Sequence, residues 1–189
     1  MSESVMLRKA VFLDRDGVLN RIVMRGGVVS SPWSIGEFFI LPEAVAFCDT
    51  LRNANWLLVV VTNQPDIERG NLSADELASM HAELQRVVCP AAIEVCMSGD
   101  DSDNRRKPNP GMLLDSAAAL GIDLASSWIL GDSRKDIGAG HAAGVRTLLL
   151  ATDYNKAAQG AADFDAASHE EALAIILGQP VPRAKDSTT

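Results

Sequence analysis

Two aspartates one residue apart, Asp14 and Asp16, are the residues of this chain whose types and spacing point most directly to chemistry. In an extended segment alternate side chains lie on the same face, so the two carboxylates can point at one spot. Two like charges at so short a separation are unfavourable unless a cation or a reacting phosphate lies between them. For this stretch alone, the alternative is an Asp-rich turn in which Gly17 supplies an unusual backbone angle.

Apolar runs that are typical of buried strands precede this pair and several other polar side chains. The predicted strands are Ala10–Leu13, Trp56–Val61, Ile93–Met97, Trp128–Leu130 and Val145–Leu150. Asp14 and Asp16 follow the first strand, Thr62 the second, Lys107 lies in the loop after the third, and Asp132 follows the fourth. The carboxyl ends of parallel strands meet at one edge of an open sheet, where ligands bind, so we expect these side chains to lie together.

Helix signals separate the strands and position their ends. Pro42 opens a predicted helix to about Asn53, and Ser73 with Glu76 makes a capping box for the next one. Further helices are predicted over residues 109–120, before Gly144 and over 168–177. Alternating strands and helices predict an α/β fold, a parallel sheet with helices on both faces. We expect one domain over residues 1–177 and a flexible tail over 178–189.

Composition excludes several classes of protein. The net charge of −8 argues against broad binding to nucleic acid or an anionic membrane, and no apolar stretch is long enough to span a bilayer. The first ten residues lack a secretory apolar region, which predicts a cytoplasmic protein. Three cysteines form no disulfide framework or paired metal motif. We expect a monomer that acts on a small molecule.

Three carboxylates, a lysine and a hydroxyl are the groups needed for phosphoryl transfer through an aspartyl-phosphate. Asp14 and Asp132 offer the oxygen ligands that suit Mg²⁺, and Asp14 can attack phosphorus. Asp16 can protonate the leaving oxygen and then deprotonate a water. Thr62 and Lys107 can hold the phosphoryl oxygens.

Asp136 lies one helical turn beyond Asp132. It can orient Lys107 or a metal-bound water. The alternative is an ordinary first-turn aspartate that the helix dipole favours.

Four segments, in order, resemble the motifs of the haloacid dehalogenase (HAD) superfamily phosphatases: DRDGVLN, VVVTNQ, RRKPNPGM and WILGDSRKD. The resemblance runs from about Val11 to Leu150. Within the superfamily, DRDG, TNQ with a downstream Arg69-Gly70, and Arg-Lys-Pro resemble the heptose bisphosphate and histidinol phosphate phosphatases. As in those enzymes, the spacing leaves no room for a separate cap domain, so the expected fold is HAD-like, or Rossmann-like, without a cap.

The resemblance implies a role for each matching residue. Asp14 would be the nucleophile and Asp16 the acid/base, with Mg²⁺ on Asp14, Asp132 and the backbone carbonyl of Asp16. Thr62 and Lys107 would contact the phosphoryl group. The substrate would be contacted by Arg106, with two further residues beside the pocket, Asn63 and Gln64.

One departure from the family concerns zinc. Relatives often carry Cys-x-His and then Cys-x-Cys before Arg-Lys-Pro. Here Cys96 is followed by Ser98, and Asp103 and Arg105 stand at the later cysteine positions. One ligand cannot make a tetrahedral site, so we predict no bound zinc and a loop held by packing and hydrogen bonds.

A long insertion over residues 21–40 can form a hairpin and cover the site. Arg21 or Arg25 can reach a distal phosphate, or each can be solvated. The leading hypothesis is a Mg²⁺-dependent phosphatase of a small phosphorylated sugar, of the D-glycero-D-manno-heptose 1,7-bisphosphate type. Its alternatives are a histidinol phosphate phosphatase, a polynucleotide 3′-phosphatase and a non-catalytic phosphate-binding protein. The acidic charge disfavours a nucleic acid substrate.

Overall fold

The structure, a computed structural model, describes residues 7–181. The strands are β1 (Ala10–Leu13), β2 (Val23–Arg25), β3 (Val28–Ser30), β4 (Leu57–Asn63), β5 (Ala92–Cys96), β6 (Trp128–Gly131), β7 (Arg146–Leu150) and β8 (Phe164–Ala166). The α-helices are α1 (Pro42–Asn53), α2 (Ala74–Val88), α3 (Gly111–Leu120), α4 (Arg134–Ala143) and α5 (His169–Leu177). Six strands form one parallel sheet in the order β5-β4-β1-β6-β7-β8. The predicted parallel α/β fold is confirmed.

Alternation along the central strands explains why the sheet is covered on both faces. Val11 and Leu13 of β1 join a buried cluster with residues of α1, α2 and α5. Ala10 and Phe12 point the other way, into a second cluster with residues of α3 and α4. Because all four residues are fully buried, β1 is held rigidly at the centre of the sheet, with Asp14 directly after its last residue.

The structure adds a strand that the sequence patterns did not predict. β8 is only three residues long, and Phe164 and Asp165 are exposed, so it lacks the buried run that marks the other strands of the sheet. In addition, β4 extends two residues further than predicted and includes Thr62 and Asn63. Of the predicted flexible tail, 178–181 are described and 182–189 lie outside the described residues.

The insertion after β1 contains the predicted hairpin. β2 and β3 pair antiparallel through Gly26 and Gly27, and both glycines have positive φ. Asn20 bridges to Ile40, which closes the base of the insertion next to β1. The hairpin therefore stands beside the carboxyl edge of the sheet. Among residues 7–181, no helix combines the length and apolar character needed to cross a bilayer.

Candidate active site

The centre of the site is the buried ammonium group of Lys107. Its Nζ donates to Asp14 Oδ1 at 2.8 Å, to Asp136 Oδ1 at 2.5 Å and to the backbone carbonyl of Val61 at 2.7 Å. Desolvation lowers the pKa of this lysine, but the charges of Asp136 and Asp14 outweigh that effect and raise it above its ordinary value. Lys107 is therefore a fixed positive charge against the carboxylate that follows β1.

Three carboxylates lie close to one another here, and two of them, those of Asp14 and Asp136, contact the ammonium group. One oxygen from each of Asp14, Asp132 and Asp136 lies within 4.8 Å of the others. Burial, and next the charge of Asp136, raise the pKa of Asp14, and the same two causes raise the pKa of Asp132 to about 7. The charged forms of these carboxylates are thus unfavourable beside a single ammonium group, and a divalent cation among them would stabilise those forms.

Asp16 lies in a different electrostatic environment, although it lines the same cavity as Asp14. Its carboxylate pairs with the fully buried guanidinium of Arg15 and also accepts hydrogen bonds from Asn20 Nδ2 (2.9 Å) and Gln64 Nε2 (2.7 Å). Burial raises its pKa, but the charge of Arg15 and the hydrogen bonds of Asn20 and Gln64 hold that pKa below its usual value. The structure therefore holds Asp16 as a carboxylate.

The residues at the end of β4 differ in position. Asn63 lines the cavity and pairs through its side chain with both backbone groups of Lys107, N–H at 3.1 Å and carbonyl at 2.9 Å. Thr62 and Gln64 are buried beneath the cavity, where the Gln64 amide bridges Thr62 Oγ1 (2.9 Å) and Asp16. Asn63 therefore orients the lysine loop, while Thr62 and Gln64 support Asp16 from below.

Asp136 both contacts Lys107 and serves as a first-turn aspartate of α4, the two roles that its position in the sequence allowed. Its Oδ1 accepts from Lys107, and its Oδ2 accepts from the backbone N–H (3.0 Å) and hydroxyl (2.5 Å) of Ser133 in a capping box at the start of α4. Gly131 makes this approach possible, because a Cβ there would lie 2.1 Å from Asp136 Cβ. The first turn of α4 thus packs directly against the end of β6.

Arginines and hydrogen bonds hold the loop between β5 and Lys107, as the sequence predicts for this loop. Arg106, 5% exposed, donates to Asp101 Oδ1 (2.9 Å) and to the Ser98 carbonyl (3.0 Å). Arg105 forms ion pairs with Glu94 and Asp115. The Cys96 thiol contacts Asp103 Oδ2 at 3.7 Å. These contacts fix the loop that carries Lys107 and bring Arg106 to the wall of the cavity.

The cavity, about 570 Å³ in volume, opens between the sheet edge and the hairpin. Arg25 of the hairpin stacks on Trp33, with 3.9 Å between guanidinium carbon and ring centroid, and Trp33 Nε1 donates to Asp66 Oδ2 at 3.2 Å. Four cationic side chains also line the cavity, contributed by Arg25, Arg69, Arg106 and Lys135. The first three form ion pairs with Glu37, Asp66 and Asp101. Arg21 does not join them, since it stacks on Phe39 and lines a separate cavity.

The sequence patterns did not identify three residues of this site. Arg15 pairs with Asp16, Tyr154 donates its hydroxyl to Asp132 Oδ2 at 2.7 Å, and Asn155 donates to the Asp132 backbone carbonyl at 2.8 Å. The sequence analysis placed polar residues that follow predicted strands at one edge of the sheet, which we call the strand-end rule. Tyr154 and Asn155 follow the fifth predicted strand, so the same rule would have placed them at that edge. Arg15, between the two aspartates, carried no such signal.

Comparison with known proteins identifies relatives of this chain. A family model described as HAD-hydrolase-like matches residues 104–174. The D-glycero-β-D-manno-heptose-1,7-bisphosphate 7-phosphatase of Pseudomonas aeruginosa is 34% identical over 155 residues, which cover 78% of this chain and 83% of that protein. The corresponding α-anomer phosphatase of Burkholderia mallei is 35% identical over 161 residues, covering 78% and 82%.

Solved structures give the same result. The D,D-heptose 1,7-bisphosphate phosphatase of Bordetella bronchiseptica, crystallised with magnesium and phosphate, superposes with a TM-score of 0.78 at 30% identity and covers 90% of this chain and 98% of that one. The corresponding Burkholderia thailandensis enzyme has a TM-score of 0.62 at 26% identity, covering 90% and 97%. The chain is a phosphoric monoester hydrolase that belongs to the HAD phosphatase superfamily, in the family of the heptose bisphosphate phosphatases.

Proposed function

We propose that this phosphatase removes one phosphate from a heptose 1,7-bisphosphate, with Asp14 as the nucleophile. The observation that carries the proposal is the distribution of charge in the cavity. Asp14, Asp16, Asp132 and Lys107 line the cavity together with four further cationic side chains, those of Arg25, Arg69, Arg106 and Lys135. A bisphosphate offers one phosphate for reaction at the carboxylates and a second one for the arginines to bind. The predicted cytoplasmic location and monomeric state stay predictions.

The carboxylate end fits Mg²⁺. Asp14 and Asp132 offer hard oxygen ligands in a buried cluster whose charged forms a cation would stabilise, and the Bordetella relative was crystallised with that ion. In this chain Asp14, Asp132 and the backbone carbonyl of Asp16 would hold it. When bound, Mg²⁺ neutralises the carboxylates and polarises a phosphoryl oxygen.

Asp14 is set up to attack phosphorus. Its Oδ1 accepts from Lys107 Nζ and from the Arg15 backbone N–H at 2.8 Å each, while among residues 7–181 no donor is directed at its Oδ2. The two hydrogen bonds fix the direction of the carboxylate and stabilise its charged form. Lys107 also neutralises charge on the phosphoryl oxygens as the bond to the sugar oxygen breaks.

Asp16 exchanges the protons of the reaction. Asp16 lines the cavity and takes up a proton from solvent there, which it delivers to the leaving sugar oxygen. The carboxylate that this transfer restores then accepts a proton from the water that hydrolyses the aspartyl-phosphate. Arg15, Asn20 and Gln64 hold that carboxylate in place at the cavity wall. The predicted contact of Thr62 with the phosphoryl group stays a prediction, as do the predicted substrate contacts of Asn63, Gln64 and Arg106.

A phosphate-release screen tests the proposal. The substrates are both anomers of D-glycero-D-manno-heptose 1,7-bisphosphate, heptose 7-phosphate, histidinol phosphate and a 3′-phosphorylated oligonucleotide, each with Mg²⁺ or EDTA. We expect the highest kcat/KM for one bisphosphate anomer and little activity in EDTA, with Asp14→Asn as the blank. A higher kcat/KM for histidinol phosphate or the oligonucleotide would overturn the proposed substrate, and activity that persists in EDTA would overturn the proposed metal.

A further inference from the structure

A short helical segment after β7, Asp153–Ala158, holds Asp132 at two points. Tyr154 donates its hydroxyl to Oδ2 of the carboxylate at 2.7 Å. The side chain of Asn155, which is buried, donates to the backbone carbonyls of Asp132 and Leu150 at 2.8 Å each. None of the four motifs includes this segment, yet both the backbone and the carboxylate of Asp132 depend on it.

The close fit around this contact confines the Tyr154 hydroxyl and the Asp132 carboxylate to one arrangement. Gly17 faces the pair, and a Cβ there would lie 2.1 Å from Asp132 Oδ2 and 2.5 Å from the Tyr154 hydroxyl. Gly17 also has φ of +84°, a conformation that favours glycine. The backbone after Asp16 thus closes over the hydroxyl and the carboxylate together, and the carboxylate has little freedom to turn.

The two oxygens of the Asp132 carboxylate have different hydrogen-bond environments. Oδ2 of Asp132 is engaged by Tyr154, while Oδ1 accepts no hydrogen bond from the part of the chain that the structure describes. Mg²⁺ demands near-octahedral geometry and takes few protein ligands, so a carboxylate that binds through one defined oxygen suits it. Hydrogen bonds to the far side of a ligand orient it and tune its affinity for the ion.

We propose that Tyr154 is a positioning residue for magnesium, which engages Oδ2 of Asp132 and leaves Oδ1 to the ion. This inference rests on the magnesium site of the proposed function. It predicts that loss of the hydroxyl weakens Mg²⁺ binding and leaves the substrate contacts intact, because Tyr154 does not line the catalytic cavity.

The test compares Tyr154→Phe with wild type. Mg²⁺ affinity is measured without substrate from the rise of Tm with Mg²⁺ concentration, and by Mn²⁺ binding followed by electron paramagnetic resonance. We expect affinity to fall about 10-fold to 100-fold, the usual effect of removing such a partner. At saturating Mg²⁺, KM should stay within about twofold of wild type, because binding of the substrate is unchanged.

Arg134→Met is the matched control. Arg134 holds the same segment through the Ala157 carbonyl and does not contact Asp132, so this variant loosens the segment and spares the hydroxyl. Its Mg²⁺ affinity should equal that of wild type. Equal affinities in wild type and Tyr154→Phe, or an equal loss in both variants, would overturn the role of the hydroxyl.

A spectroscopic readout separates this proposal from the proposed function. Tyr154 is the only tyrosine in the chain, so ring-labelled protein gives one set of tyrosine signals. We expect these signals to shift as Mg²⁺ is added and to saturate at the concentration that the Tm series gives. Unshifted signals with Mg²⁺-dependent turnover would overturn the positioning role alone, whereas Mg²⁺-independent turnover would overturn the proposed function.

Discussion

Lys107 Nζ and Asp14 Oδ1 lie 2.8 Å apart although the two residues are 93 positions apart in the chain. Asp14 directly follows β1, and Lys107 lies in the loop after β5. On its way to Asp14, the Lys107 side chain also contacts the backbone carbonyl of Val61, near the carboxyl end of β4. The parallel order of β5, β4 and β1 makes this meeting possible, since each strand delivers its end to the same edge. The fold therefore brings the two residues of this ion pair together at the site.

Asp14→Asn should reduce kcat by at least about 10³-fold, because an amide is a poor nucleophile toward phosphorus. The fold should persist, since Asn keeps the shape of the side chain and removes one of three repelling charges. Circular dichroism and Tm check the fold, and phosphate release checks the rate. Turnover near the wild-type rate would refute the assignment of Asp14.

Lys107→Met tests how much the buried charges depend on the ammonium group. Removing one partner of a buried ion pair costs roughly 3–5 kcal/mol, because Asp136 and Asp14 would keep charges without compensation. The double variant Lys107→Met, Asp136→Asn should recover at least half of that loss, since Asn can still accept from Ser133. Urea unfolding of the three proteins measures both effects. If the single variant matched wild type, the ion pair would have no structural role.

The strand-end rule explains why the main site residues could be predicted from sequence. Asp14, Asp16 and Asp132 each follow a recognisable apolar run, and their meeting depends only on a parallel sheet. The contact of Tyr154 with Asp132 depends instead on the path of residues 151–158, which no periodic pattern sets. The burial of Gln64 beneath Asp16 likewise depends on how the turn after β4 folds back.

Asp16→Asn should lower kcat about 10²-fold to 10⁴-fold on sugar phosphates, because it removes the group that protonates the leaving oxygen. A nitrophenolate leaves without protonation. The rate at which the variant forms the aspartyl-phosphate from 4-nitrophenyl phosphate should therefore fall much less. Burst kinetics with both substrates separate the two steps. Equal losses in the first step would contradict proton donation by Asp16.

The loop that carries Arg106 should need no metal. Protein purified without added zinc should contain less than about 0.1 zinc per chain by mass spectrometry, and EDTA should leave the Tm of the magnesium-free protein unchanged. Arg105→Ala should lower stability by about 0.5–1 kcal/mol, because two partly exposed ion pairs are lost. Stoichiometric zinc would show that this loop binds metal through other ligands.

His81 should make stability fall in mild acid. Its Nε2 accepts a hydrogen bond from Arg15 Nη1 at 3.3 Å, which requires the neutral ring, and burial, followed by the charge of Arg15, lowers its pKa to about 4. In the unfolded chain its pKa is about 6.5. Below that pH the His81 ring is protonated in the unfolded state and stays neutral in the folded state. The free energy of unfolding therefore falls as the pH is lowered from about 6.5 to about 4.

His81→Gln isolates this effect, because Gln can accept the same hydrogen bond and does not titrate. The free energy of unfolding of wild type relative to this variant should be constant above pH 7 and fall by roughly 1 kcal/mol by pH 5, a value reduced for the partial exposure of the ring. Urea unfolding at several pH values measures the difference, in which the titration of the carboxylates shared by both proteins cancels. A difference independent of pH would mean that His81 is protonated equally in both states, and that Arg15 does not depend on it for its position against Asp16.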